Sequence, residues 1–205
     1  GLRIGNASVV GTISAAFIAV TVIMSVLFLG EKITLYQSLA IIIIFAGVIL
    51  TGLDFKELRQ NKSPAMNKSI WLAIVAMIFW GIYYTFIKIP VREVGWFFPE
   101  LITLLLAIPI ALFMMKFKKT KLIVPDKTTW APVLGNSLLL SISDFCYNYA
   151  VSKGMVAIVA PIAGSYPTLF VLLASLVFKD PITTQQKIGI AVTLVGIVGI
   201  SFLLV

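Results

Sequence analysis

The chain has 205 residues, 60% hydrophobic and 12% charged, with a formal net charge of +8. A soluble domain carries roughly 45–50% apolar and about 25% charged residues, so no aqueous fold can hide this much apolar surface and the solvent for most of the chain is lipid. The bases lie between apolar segments, as membrane-flanking loops do, which excludes the nucleic-acid partner that this charge would suggest in a soluble protein. The single cysteine, Cys146, forms no internal disulfide, and the absence of histidine removes the commonest catalytic base and metal ligand.

A bilayer core of about 30 Å takes roughly 20 apolar residues per helix. Such segments are predicted at about 5–29, 33–53, 69–89, 96–116, 129–151, 155–178 and 182–204. The runs are continuous and lack the alternation of a membrane barrel, so the fold class is all-α, a polytopic membrane helix bundle with seven visible transmembrane helices. No cleavable targeting segment is visible, and the chain opens on Gly1 rather than a methionine, as part of a longer protein would.

Ser8 and Thr12 give the first segment a weak polar face, and the turn "GEK" that ends it holds Glu31. An acid there, like Asp180 in the turn "KDP", is expected to complement the N-terminus of the helix that follows. The third segment contains "FWGIYYTFIKI" (79–89), and Pro90, with Arg92 and Glu93, is expected to close it. Trp80 and Tyr84, at i and i+4, share a face, with Tyr83 beside it and Lys88 one turn on. Trp80 lies too deep for an interfacial belt, which leaves two readings, rings that line a pathway or gate and rings that pack a core.

In the fifth segment Ser137, Ser141, Asp144 and Asn148 follow 4-3-4 spacing, within roughly a 60° arc of one helix. A carboxylate in a span is costly, so this stripe faces protein or water, either as the wall of a pathway with Asp144 as a proton, cation or substrate site, or as a polar seam between helices. Asp144 reads as the one deeply placed carboxylate. Lys88 is either its ion-pair partner or a lysine reaching toward the interface. In the sixth segment Pro161 removes a backbone donor. Gly164, Ser165 and Thr168 share its side, as a polar patch at a kink or as close packing through small residues, and Pro167 adds a second bend.

The segment "SVLFLGEKITLYQSLAIIIIFAGVIL" (25–50) aligns without a gap on "ASLVFKDPITTQQKIGIAVTLVGIVG" (174–199) at an offset of 149 residues. Glu31 meets Asp180, Thr34 meets Thr183, Gln37 meets Gln186 and Gly47 meets Gly196. On this register residues 1–56 hold the last two helices of a first repeat, 57–68 a charged linker and 69–205 a complete five-helix second repeat, with about 80 residues of the first copy upstream of Gly1. An odd number of spans per copy inverts the two copies in the membrane, an arrangement of many secondary transporters, which bind at the repeat interface.

These residues resemble a known family. "FWGIYYTFIK", with Trp80, Gly81, Tyr84 and Lys88, is similar to the opening helix of an EamA-type half in the drug/metabolite transporter superfamily. Pro161, Asp180, Gly189 and Gly196 in "AIVAPIAGSYPTLFVLLASLVFKDPITTQQKIGIAVTLVGI" fit the last two helices of such a half, with Asp180 where the family more often has Glu and Thr12 where the first copy would have Pro161's counterpart. The resemblance implies a ten-helix (5+5) carrier or exporter of small metabolites such as amino acids, without an ATP site, in a prokaryotic cell membrane. It implies no cofactor, a lipid bilayer and a small-molecule substrate as partners, and admits protons or another coupling cation and a homodimer. The family usually keeps both termini in the cytoplasm, which puts loops 54–68 and 116–129 outside. The bases concentrated in those loops (four in the first, five in the second) point the other way by the positive-inside rule, so orientation stays open.

An intramembrane enzyme is disfavoured by the lack of histidine and of a zinc motif. A seven-helix receptor matches the helix count but not the repeat, and a retinal protein lacks a lysine deep in its last span. A structural membrane protein that transports nothing stays open.

Overall fold

The structure, a computed structural model, describes residues 13–52, 64–118, 126–179 and 181–203. The described residues are helical, with no strand among them. In chain order the helices are α1 (Phe17–Phe28), α2 (Leu35–Gly52), α3 (Pro64–Phe86), α4 (Lys88–Val94), α5 (Phe97–Lys118), α6 (Lys127–Lys153), α7 (Val156–Ala163), α8 (Tyr166–Phe178) and α9 (Thr184–Phe202). Ser8, Thr12, Asp180 and the basic residues of loop 54–63 lie outside the described residues.

Five stretches are long and apolar enough to cross a membrane: Leu35–Gly52, Lys68–Val94, Phe97–Phe117, Val156–Val177 and Thr184–Phe202. Two of the seven predicted spans differ. The first is described only over a shorter apolar stretch, Ile13–Phe28. The fifth, α6, has 27 residues, about 40 Å of helix, but the polar residues that drew attention to it also keep its composition below that of an apolar span.

Proline explains the interruptions inside spans. A proline lacks the N–H that would bond the carbonyl four residues back, and its ring crowds that carbonyl. Pro90 therefore sets the break at Ile87 between α3 and α4. It does not end the span as expected, since the apolar stretch runs on to Val94. Pro161, near the end of α7, and Pro167, in the first turn of α8, flank the interruption at Gly164–Ser165, where the kink was predicted.

The chain divides into two units, residues 1–85 with 155–205, and residues 86–154. In the first, α2 lies against α9. Contacts rising from Ile44 to Thr51 meet residues falling from Gly196 to Gly189, so the two helices are antiparallel. Glycine makes the crossing close. A Cβ at Gly47 would meet the Thr193 backbone nitrogen at 2.5 Å and the Gly189 carbonyl at 2.8 Å, and one at Gly189 would meet the Thr51 nitrogen at 2.7 Å. Lipid supplies no hydrophobic drive between spans, so such backbone approach, with the dispersion and hydrogen bonds it permits, is what binds them. Around it Ala40, Ile41, Ile44, Val48, Ile158 and Ile200 form a buried core.

This pair also repeats itself. Thr34 Oγ1 accepts from the Gln37 amide at 3.2 Å while the Thr34 amide donates to Gln37 Oε1 at 2.9 Å. Thr183 and Gln186, each 149 residues further on, form the same capping box at 3.2 and 3.0 Å. Gly47 packs on Thr193, and at the same offset Gly196 packs on Ile44.

Candidate substrate-pathway residues

In the first unit, Gly81 of α3 approaches α1 so closely that a Cβ would meet Val20 Cγ1 at 2.5 Å. Two threonines bridge the approach. Thr85 Oγ1 donates to the Gly81 carbonyl of its own helix at 2.7 Å and reaches the Thr21 carbonyl of α1 at 3.4 Å, and Thr21 Oγ1 reaches the Phe17 carbonyl at 3.0 Å and the Gly81 carbonyl at 3.4 Å. The glycine of the Trp-Gly pair is thus a packing residue. The aromatic residues beside it gather on Phe17 of α1, with Tyr84 stacked at 5.0 Å and Trp80 edge-on at 5.9 Å, while Tyr83 meets Tyr84 edge-on at 5.2 Å. Trp80 and Tyr83 keep 48% and 38% of their surface exposed, so this aromatic patch is open on one side. Phe17 was not singled out from sequence, since one Phe in a run of apolar residues carries no signal.

Pro161 and Thr168 are buried and Ser165 half-buried. Their hydroxyls have partners. Ser165 Oγ donates to the Ile162 carbonyl at 2.7 Å, and Thr168 Oγ1 to Thr193 Oγ1 of α9 at 3.2 Å. Gly164 packs against Ile18, where a Cβ would have no room.

Glu31 overturns its expected role. It is buried, and its Oε1 and Oε2 accept from the backbone amides of Val156 and Ala157, each at 2.8 Å. It caps α7, 125 residues away in sequence, and not the helix that follows it. A carboxylate on two orphan amides at a helix N-terminus is favoured by both hydrogen bonding and the helix dipole.

The second unit holds α4, α5 and α6, each packed on the other two. Asp126 starts α6. Its Oδ1 accepts from the Thr129 amide at 2.9 Å and from the Thr129 hydroxyl, and its Oδ2 from the Thr128 hydroxyl at 3.0 Å. The Thr129 hydroxyl, then its amide, then Thr128 hold the carboxyl below its ordinary value of 3.8. At the other end of α6 the ammonium of Lys88 donates to the carbonyl of Gly154, the C-cap residue. Lys88 is buried, which disagrees with the interfacial reading, and its cation sits where the helix dipole favours one. Nine residues of α6, about 13 Å, separate that end from Asp144. A partner of this lysine is thus a backbone carbonyl, where the sequence had offered Asp144 or the interface.

The stripe Ser137, Ser141, Asp144 and Asn148 lies on α6 and passes from exposed at Ser137, through half-buried at Ser141 and Asp144, to buried at Asn148. Ser137 Oγ turns back to the Val133 carbonyl at 2.9 Å. Asn148 is 2% exposed, and its Nδ2 has no acceptor among the described residues. The acid that sequence reasoning missed lies on α5, which packs on α6. Glu100, in the first turn of α5, is 2% exposed, its Oε2 has no partner among the described residues, and Asp144 acts on it electrostatically. It was not singled out from the sequence; the clue was an acid with apolar residues on both sides in "WFFPELITL". Rings close the same end of the unit. Trp96 lies edge-on to Phe145 and Tyr149, at 6.2 and 5.5 Å, and Phe97 stacks on Phe145 at 5.3 Å.

Apolar helices of spanning length, with buried carboxyl and amide groups placed between them, define a multi-pass integral membrane protein. The chain belongs to the EamA-like transporter family, whose pattern matches residues 1–53 and 67–202, which makes it a membrane transporter with the bilayer and a small molecule as partners. It is similar to an uncharacterised protein of Methanocaldococcus jannaschii, 28% identical over 139 residues, which are 66% of this chain and 98% of that protein. A solved crystal structure shares its fold, with a TM-score of 0.78 at 16% identity, covering 98% of this chain and 71% of the other.

Proposed function

We propose that the chain is the pathway-forming part of a secondary-active or facilitative carrier of small organic metabolites, amino acids or related compounds, in a prokaryotic cell membrane. The observation that carries this reading is the stripe ending in Asp144 and Asn148 within a transporter-family chain, since polar groups this deep are retained where solute or ions pass. The architecture proposed is a ten-helix inverted repeat, of which this chain holds seven helices. The recurring capping box and the reciprocal glycine contacts of α2 and α9 support the repeat. The 139 residues shared with the archaeal relative, nearly all of that protein, match the length expected of one repeat, 69–205. Trp80, Tyr83 and Tyr84 offer a stacking surface to an organic solute on their own unit. Coupling to a cation and assembly as a homodimer belong to the same proposal.

The test is solute flux in liposomes holding the full-length protein, with a panel of labelled amino acids and related metabolites. Asp144→Asn should abolish most of the flux while inserting at the wild-type level. Equal flux by mutant and wild type would remove Asp144 from the pathway, and no flux of any solute by the wild type would sink the carrier reading.

A further inference from the structure

We propose that the face of α8 formed by Tyr166, Leu169 and Phe170 is a docking surface for a further helix of the same protein, the counterpart of α3 in the first repeat. The 149-residue offset places that helix upstream of Gly1. This docking rests on the inverted-repeat architecture proposed above and is independent of the solute. Backbone detail fixes the equivalence of α1 and α8. α1 begins at Phe17 and α8 at Tyr166, one offset further on. The residues before them, Ala16 and Ser165, share a conformation, φ −66° and ψ 0° against φ −77° and ψ 3°. The Ala16 amide donates to the Ile13 carbonyl and the Ser165 amide to the Ile162 carbonyl, both at 3.2 Å. Ala19 donates to Ala16, and Thr168 to Ser165, both at 3.0 Å. The two helices therefore start from the same break, in the same register.

Their surfaces differ on one face. On α1 that face is covered by α3: Phe17 stacks on Tyr84, Gly81 closes on Val20, and the Thr85 hydroxyl reaches the Thr21 carbonyl. The counterparts of Phe17, Val20 and Thr21 are Tyr166, Leu169 and Phe170, and all three are exposed. Phe17 and Thr21 keep 7% and 0% of their surface, Tyr166 and Phe170 49% and 70%. At their far ends the helices agree, with Leu27 and its counterpart Leu176 exposed at 71% and 76%. The loss of cover is thus confined to the residues whose counterparts meet α3.

Lipid would satisfy Leu169 and Phe170 but not Tyr166. That ring stands at the middle of the apolar stretch Val156–Val177, away from the interfaces where a tyrosine keeps its hydroxyl wet. The contact on α1 also specifies the occupant. Spans in lipid are held by close approach through small residues, and α3 supplies Gly81 opposite Val20. α8 carries the larger Leu169 and Phe170 where α1 has Val20 and Thr21, so the docking helix has a glycine or alanine opposite Leu169.

The test is photo-cross-linking of the full-length protein in the cell membrane. The photoreactive residue p-benzoylphenylalanine replaces Leu169 in one variant, Phe170 in a second and Leu176 in a third. The first two should cross-link within one polypeptide to a peptide upstream of Gly1, identified by mass spectrometry, and the Leu176 variant should label lipid alone. A product of twice the mass would give the face to a second copy. That outcome, labelling of lipid alone at 169 and 170, or a cross-link to a peptide within residues 1–205 would each overturn the docking surface. If one of the two variants fails to insert, the other decides. Solute flux of the wild type in liposomes is scored beside it. A cross-link without flux keeps the surface and sinks the carrier reading, while flux without the cross-link keeps the carrier and overturns the surface.

Discussion

Glu31 and Glu100 are both glutamates in a lipid-embedded chain, and both are buried, at 7% and 2% exposure. In the first unit Glu31 has a backbone amide on each carboxyl oxygen and ties α7 to the turn that ends α1. In the second unit Glu100 has an oxygen with no partner among the described residues and a second carboxyl acting on it. The difference follows from the surroundings. Glu31 reaches across to the orphan amides that open α7, whereas one oxygen of Glu100, although it lies in the first turn of its own helix, meets no donor among the described residues. Burial alone therefore does not say whether a carboxylate is satisfied; the donors that reach it do. The same contrast runs through the units at large. α2 and α9 meet backbone to backbone through glycine, while most of α5 beyond Glu100 is exposed on the chain's own surface.

The sharpest way to break the packed side of this comparison is to widen it. Gly47→Leu would drive a side chain into the backbone of α9 at Thr193 and Gly189. Overpacking of this kind costs about 3 kcal/mol when the neighbour is backbone and cannot give way. The transition temperature of the detergent-solubilised protein should fall sharply. Gly135→Ala in α6, where a Cβ would meet nothing within 4 Å, should leave stability level or raise it by up to about 1 kcal/mol from helix propensity. Equal losses at the two positions would show that the crossing of α2 and α9 is not close in the folded protein.

Removing the satisfied acid should cost less. Glu31→Ala leaves the amides of Val156 and Ala157 without their carboxylate, at about 2 kcal/mol for buried donors that lose an acceptor. Hydrogen exchange should rise at those two amides first. An unchanged exchange rate there would mean that the cap is not formed.

The overall fold was largely legible because the apolar runs are long and the turns are marked by charge and proline. Helices appear where the sequence placed them, and the kink in "AIVAPIAGSYPTLF" follows from Pro161 and Pro167. The paired Thr and Gln at 34/37 and 183/186 were legible as a repeat, although their capping chemistry was not. What was not legible depends on contacts distant in sequence. The destination of Glu31 lies 125 residues away, and the Lys88 ammonium finds a carbonyl 66 residues on. Glu100 was overlooked because hydropathy places an acid at the start of a run in the interface, whereas its burial is set by the folded chain. The spacing of the stripe on α6 was legible, since i, i+4 geometry is local, but its gradient of burial from Ser137 to Asn148 is tertiary.

A third acid, the second that caps a helix, sets the lower end of the comparison. Asp126 does for α6 what Glu31 does for α7, accepting from the amide of Thr129, but it is fully exposed. Its hydrogen bonds to Thr129 and Thr128 favour the ionised form, so the folded value lies below that of the unfolded chain. The linkage then has a definite sign. The cap contributes in full at any pH above the ordinary aspartate value, and its contribution disappears as pH falls through the lower, folded value. On acidification the first turn of α6 should fray before the rest of the helix, seen as faster exchange of the Thr129 amide relative to amides near Asn148. Asp126→Asn keeps a carbonyl acceptor and remains a good cap, so the same titration should be flat in that variant. If wild type and Asp126→Asn lose protection at Thr129 together, the acid sensitivity belongs to another group, and an exposed cap would differ from a buried one by more than its access to water.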